Sequence, residues 1–154
     1  MTTFIGIDPG KSGGIAWITD AAVPVIQAIA MPATERDISD ALLRISDNAI
    51  AVIEDVHSFP GQGVKSMFTF GRGYGLLRGI LTAHRIQFSE VRPRDWQKAV
   101  GITPRYKDET KPQFKMRLKQ RAQQLCPSVD VTLSTADALL IARYAQMMAN
   151  GGGK

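Results

Sequence analysis

Phe4-Ile5-Gly6-Ile7-Asp8-Pro9-Gly10 is an apolar run stopped by an acid, a proline and a glycine, and after Gly13-Gly14 a second apolar run, Ile15-Ala16-Trp17-Ile18, begins. β-Branched residues fill the runs and turn-formers separate them, so the stretch reads as strand, turn, strand. Pro24 then permits a third short strand, Val25 to Ala30, which makes the start of the chain an antiparallel meander. Beyond it the period changes. Ile38, Ala41, Leu42 and Ile45 recur at helical spacing between Thr34 and Asn48, and Thr34 with Asp37 approximates a capping box whose carboxylate is one carbon short. Ala49 to Ile53 is a continuous apolar run ahead of Glu54-Asp55, the pattern of a central strand buried on both faces.

After the loop Pro60-Gly61-Gln62-Gly63, Val64 to Ala83 has the length of a long helix but carries Gly71, Gly73, Gly75 and Gly79. Each glycine costs about 1 kcal/mol against alanine, so close approach of another backbone is the expected reason for them. Ile86 to Val91 reads as a strand, and Pro93 opens a short helix to about Val100. Pro112 fits only the first turn of the next helix, where Phe114, Leu118, Ala122 and Leu125 share a face. A last helix spans about Thr135 to Ala149. Together these elements predict an α/β fold, a mixed five-stranded sheet flanked by helices.

The 154 residues suit a single domain over 1–150, with 151–154 a frayed, flexible tail. Hydrophobic residues at 44% and charged residues at 21% exclude a disordered or low-complexity chain. No apolar run approaches the roughly 18 residues of a membrane span, and no basic segment precedes an apolar leader at Met1-Thr2-Thr3, so a cytoplasmic protein without a membrane partner is expected. Cys126 is the only cysteine and His57 and His84 the only histidines, which leaves any metal to carboxylates. Gly10-Lys11-Ser12 lacks the glycine that a phosphate-binding loop places five positions earlier, where Ile5 stands, and the following residues look like a strand. No nucleotide cofactor is expected.

Charge is segregated. Nineteen basic residues against 14 acidic give +5, and the stretch from Arg92 to Arg121 holds ten basic and three acidic residues while the remainder is slightly negative. Arg92, Arg94, Lys98, Arg105, Lys107, Lys111 and Lys115 form the footprint of a phosphate-backbone contact, or else a solvated basic helix. Three acids stand at the edges of apolar elements: Asp8, Glu54 and Asp137. A carboxylate there must be hydrogen-bonded, face water or bind a cation, although Asp137 would also serve as a helix N-terminal acid. Glu54 and Asp55 point to opposite faces of their strand, so only one can join Asp8. Three carboxylates can hold two hard divalent cations about 3.5 to 4 Å apart, which stabilise the attacking and leaving oxygens of a phosphodiester. His57 could assist a metal or a base, or be a plain loop histidine. Phe59, Phe68 and Phe70 surround a glycine-rich loop, where core packing is expected for at least two and one exposed ring could stack on bases. Trp96 among Arg92, Arg94 and Lys98 either packs beneath a basic surface or meets a base.

Gly6-Ile7-Asp8-Pro9-Gly10, Ile53-Glu54 and Ala136-Asp137-Ala138-Leu139, in that order with a basic segment before the last, resemble the RuvC family of Holliday-junction resolvases over nearly the whole chain. Gly71-Arg72-Gly73-Tyr74-Gly75 and the stretch from Pro93-Arg94 to Ala99-Val100 look like that family too, and the text around Phe59-Pro60-Gly61-Gln62-Gly63 is most similar to small RuvC-like endonucleases of bacteriophages. The resemblance implies an RNase H-like fold, a homodimer, branched DNA as partner, and Mg²⁺- or Mn²⁺-dependent nicking of paired strands at a four-way junction, with two ions and, for a phage-encoded chain, the host cytoplasm as its location. Carried over by position, Asp8 bridges both ions while Glu54 and Asp137 complete one each. Ser134 stands where the family usually has another acid or a histidine, which leaves a weak fourth ligand, substitution by His57, or reduced activity. His57 also takes the place of an aromatic residue that enters the junction, with Phe59 as its replacement, and Arg72 joins the DNA-contacting set. Lys111, then Lys107 or Lys98, matches the residues that contact the scissile phosphates. Two other readings stay open: an RNase H-like nuclease on forks, flaps or hybrids, and a junction-binding protein with little or no cleavage.

Overall fold

The structure, a computed structural model, describes residues 1–57 and 60–151, so Phe59 and 152–154 of the expected tail lie outside the described residues. Five strands, β1 (Thr3–Asp8), β2 (Gly14–Thr19), β3 (Ile26–Ala30), β4 (Ala49–Glu54) and β5 (Gln87–Val91), form one sheet in the order β3-β2-β1-β4-β5. β1 pairs antiparallel with β2 and β2 with β3, whereas β1 with β4 and β4 with β5 are parallel. The sheet is therefore mixed, as the sequence pattern required, and β4 is an interior strand one place from the middle, which β1 occupies. The helices are α1 (Glu35–Arg44), α2 (Val64–Ala83), α3 (Pro93–Ala99), α4 (Lys111–Leu125) and α5 (Ala136–Ala149). Among the described residues no helix is long and apolar enough to cross a membrane.

Strand alternation sorts the core into two layers. Phe4, Ala16, Ile18 and Val52 pack with α3, α4 and α5, and Ile5, Ile7, Ile15, Ala51 and Ile53 pack with α1 and α2. Gly6 and Asp8 share the parity of Phe4, and Glu54 shares that of Val52, so both acids project toward the α3, α4 and α5 layer. Local chemistry sets the helix ends. Thr34 caps α1 by accepting from the Asp37 backbone and donating to its carboxylate at 2.7 Å, while α4 has a full capping box in which Thr110 and Gln113 satisfy each other's backbone N–H and Pro112 lies in the first turn.

The close backbone approach expected along α2 occurs elsewhere. Among the described residues, and apart from the helix's own backbone, no atom lies within 4 Å of a Cβ built on Gly71, Gly73, Gly75 or Gly79. On Gly6, by contrast, a Cβ would fall 2.2 Å from the Ala138 carbonyl oxygen and 2.3 Å from the Ala142 nitrogen, so α5 lies directly against β1 at a position where only hydrogen fits. The loop between β1 and β2 is equally tight. Gly10 has φ of +104°, the Gly13 N–H donates to its carbonyl at 3.1 Å, and a Cβ on Gly13 would meet the Asp8 carbonyl oxygen at 2.0 Å. Core packing for at least two of the loop phenylalanines is not met: Phe68 is 73% exposed, and Phe70 is half-buried, its ring stacked near Tyr74 and beside Gly10.

These contacts give opposite expectations for two glycine-to-alanine changes. Gly6→Ala pushes a methyl into backbone that cannot yield, so it should cost about 3 kcal/mol or more in urea unfolding or leave no folded protein. Gly73→Ala, with open space around it, should stabilise by about 0.5 to 1 kcal/mol.

Candidate metal centre and basic groove

Asp8 ends β1 and Glu54 ends β4, on neighbouring parallel strands whose register runs through Gly6 with Val52 and Ile7 with Ile53. Their side chains leave the sheet on the same face, beneath the first turn of α5, where Asp137 is 4% exposed. The close contact of Gly6 with α5 brings that turn down onto the strand ends. Burial, with repulsion from Asp137 and Glu54 added and Lys115 opposing, raises the Asp8 carboxyl to about 8. Burial also raises Glu54, to about 7, against the hydrogen bond from Trp96, with Asp137 repelling and Lys115 attracting. Asp137 thus lies close enough to Asp8 and Glu54, and Glu54 close enough to Asp8, to oppose their ionisation.

Two further residues complete the cluster. Lys115 Nζ lies 2.5 Å from Asp137 Oδ2, and although desolvation works against its charge, attraction to Asp137, Asp8 and Glu54 raises its pKa. The Trp96 indole N–H donates to Glu54 Oε2 at 2.6 Å, and Trp96 is fully buried. Of its two sequence readings, packing beneath the basic surface is the one seen. Lys115 was expected only as a DNA contact, with Lys111 nearest the scissile phosphate. Lys111 instead is exposed at the first position of α4, and Lys115, one turn onward on the same face, is the ammonium among the acids. Sequence signals for both existed: the i, i+4 spacing of two lysines, and a tryptophan whose N–H must find an acceptor once buried.

The fit of divalent cations can be judged from these groups. Asp137 Oδ1 is buried without a hydrogen-bond partner, three carboxylates face a common space, and an ammonium stands among them as a cation would. Among the described residues no group of three or more His, Cys, Asp or Glu side chains is arranged to hold a metal ion. The oxygen donors that Mg²⁺ or Mn²⁺ would seek in this region are Asp8, Glu54 and Asp137. Ser134 is half-buried in the turn before α5, its carbonyl oxygen 2.7 Å from where a Gly14 Cβ would be, one helical turn from Asp137. His57 is exposed and pairs with Asp55 at 3.2 Å. Asp55 acts on Tyr74 in the α2 layer, so Glu54 is the member of the pair that joins Asp8.

Arg94, Lys98, Arg105, Lys111 and Lys115 line one concavity beside the acids. Arg92 caps α3 and pairs with Asp95 at 3.0 Å, and Lys107 is exposed on the loop before α4. Arg72 is separate from them, on α2, where it pairs with Glu35 at 3.2 Å.

No protein-family model and no curated protein matches the chain. Among solved structures, RuvC of Thermus thermophilus is similar, 13% identical over 97% of this chain and 96% of that one with a TM-score of 0.60. T. thermophilus RuvC in complex with a Holliday junction substrate is 12% identical over the same shares, with a TM-score of 0.65. The likeness is one of fold: the chain has the RuvC arrangement of the RNase H-like sheet and helices.

The buried acids make stability depend on pH in a definite sense. In the folded state Asp8 and Glu54 keep their protons to about 8 and about 7, whereas in the unfolded chain they lose them near 3.8 and 4.5. The folded state therefore binds more protons between those limits, and metal-free stability contributed by these groups is present below about pH 4 and lost as pH rises to 8. Asp8→Asn should flatten this decline, so that the variant exceeds the wild type by a margin growing from pH 5 to pH 8 in thermal unfolding with a chelator present. Curves that run parallel would show that Asp8 is not held in a charge-opposing site.

Proposed function

We propose that the protein is a structure-selective DNA endonuclease that hydrolyses one phosphodiester in each of two paired strands at four-way junctions and related branched DNA, leaving 5′-phosphate and 3′-hydroxyl ends. The observation that carries the reading is the meeting of Asp8, Glu54 and Asp137 around Lys115 at the edge of a basic concavity, on the RuvC fold. Mg²⁺ or Mn²⁺ ions held by the three carboxylates would supply an activated water and neutralise charge on the attacking and leaving oxygens. The chain's own residues do the rest. Trp96 fixes one oxygen of Glu54 and leaves the other free to turn toward the shared space. Lys115, once its bond to Asp137 is exchanged for a phosphate oxygen, stabilises the charge that develops on the scissile group. Arg94, Lys98, Arg105 and Lys111 hold the strand by its backbone and read no bases, so selectivity comes from the shape of the DNA.

Two matched cuts need two centres, and α2 offers a surface for a second copy. Gly71, Gly75 and Gly79 recur at one-turn spacing over open space, and Val64, Met67 and Phe68 are exposed at its N-terminal end. Open glycines let the backbone of a facing helix come close, which is what the single chain leaves unused. Sedimentation should give a species of twice the 16.8 kDa chain mass, and Gly75→Leu should shift it to monomer without lowering its helix content. A wild type that sediments as a single chain at micromolar concentration would remove the dimer.

Gel assays on a synthetic four-way junction with Mg²⁺ or Mn²⁺ test the activity. Asp8→Asn and Lys115→Ala should each lower cutting by at least about 100-fold while junction binding persists, and Lys111→Ala should cost less. Undiminished cutting by Asp8→Asn removes the catalytic assignment. Tight binding with no cutting in either ion would favour a junction-binding role, the outcome that Ser134 in the turn before α5 would explain, and faster turnover of forks or hybrids would place the same chemistry on another substrate.

A further inference from the structure

The concavity that runs from α3 to the start of α4 is built unlike a plain phosphate-binding surface. Its volume is about 1080 Å³, and it is open along one side. Cations stand at its rim, yet Pro93, Ile102, Pro104 and Phe114 also line it, and no acid does. A duplex turns its phosphates outward and hides the faces of its bases, so an apolar floor has nothing to bind on it. A single strand offers both a charged backbone and exposed base faces.

The wall is fixed in advance. Arg117 donates to both oxygens of Glu109, at 2.8 and 2.9 Å, and to the carbonyls of Thr103 and Pro104 at 3.0 and 3.2 Å. Its guanidinium also lies 4.6 Å from the centre of the Tyr106 ring and 5.0 Å from that of Phe114. One side chain therefore ties the loop between α3 and α4 to the Phe114 ring and consumes the charge of the nearby Glu109. The groove also opens toward the acids from both sides: α3 supplies Arg94 and Lys98 to it and Trp96 to Glu54, and α4 supplies Phe114 and Lys115, the latter reaching Asp137.

We infer that this groove is a binding site for unpaired single-stranded DNA, in which phosphates meet Arg94, Lys98 and Arg105 and an unstacked base lies on Phe114, so that the strand next to the scissile phosphate enters the acid cluster unpaired. The inference deepens the nuclease reading and rests on it for the direction of the strand. For branched substrates it predicts preference for a crossover with unpaired nucleotides over a fully paired one.

Fluorescence anisotropy with the full chain, in chelator so that nothing is cut, tests it with an oligothymidine of about six nucleotides, a hairpin duplex of equal phosphate count and an oligoglutamate peptide. The wild type should bind the oligothymidine at least fivefold more tightly than the hairpin, and the peptide hardly at all. Phe114→Ala should lose at least fivefold for the oligothymidine and less than twofold for the hairpin, and Phe114→Tyr should restore binding. If Phe114→Ala fails to fold, the exposed rim change Arg105→Glu must lower oligothymidine binding about tenfold. Equal binding of strand and hairpin, equal losses on both in Phe114→Ala, or binding of oligoglutamate as tight as of DNA would each overturn the site. Junction cutting is read separately with Mg²⁺: cutting without strand preference sinks the groove alone, and strand preference without cutting sinks the nuclease alone.

Discussion

The contact of α5 with β1 through Gly6 is the constraint on which the rest depends. Ala138 and Ala142 present a smooth helix surface, and the absence of a side chain at Gly6 lets their backbone meet the strand. A helix held at ordinary distance by a larger residue would lift Asp137 away from the strand ends. Because Asp8 lies two residues beyond Gly6 on the same face of β1, the packing contact and the chemical contact are two positions of one register. The parallel pairing of β1 with β4 then delivers Glu54 to the same level.

Such a centre works against folding. Burial strips water from the carboxylates, and with repulsion from Asp137 added it keeps protons on Asp8 and Glu54 far above their ordinary range. The structure offsets part of this with the Lys115 ammonium and the Trp96 indole, and leaves Asp137 Oδ1 without a partner. A site arranged only for stability would bury apolar side chains in this place, so these acids are a cost to folding that packing alone does not explain. The Lys115 side chain is half-exposed while its partner Asp137 is buried, so the pair bridges solvent and the cluster.

Much of this was legible in the sequence because periodicity reports burial. The meander, the apolar strand before Glu54, the long α2 and the proline-marked starts of α3 and α4 follow from spacing alone, and the structure differs from them by a residue or two at their ends. Asp8, Glu54 and Asp137 could be singled out since each ends an apolar run. What spacing could not show was which lysine meets the acids, because Lys111 and Lys115 share a face of α4 one turn apart. The role of Trp96 was hidden for a similar reason: its acceptor, Glu54, is 42 residues away. The glycines of α2 meet no backbone within the described residues, since a pattern of small residues marks where a backbone can come close and not which one does.

The two layers of the sheet divide the tasks. On one, α3, α4 and α5 gather the acids, the ammonium and the basic groove, and each of α3 and α4 spends one face on the groove and one residue on the cluster. On the other, α1 and α2 complete the core, with Leu77, Ile80 and Leu81 buried, and the N-terminal half of α2 is largely exposed, held by Phe70 beside Gly10 and by the pair of Arg72 with Glu35. The arrangement ties recognition to chemistry through rigid elements, because any strand seated between α3 and α4 touches the same helices that position Glu54 and Asp137. A shift of α3 or α4 would therefore move the groove lining together with Trp96 and Lys115, the two side chains that hold Glu54 and Asp137.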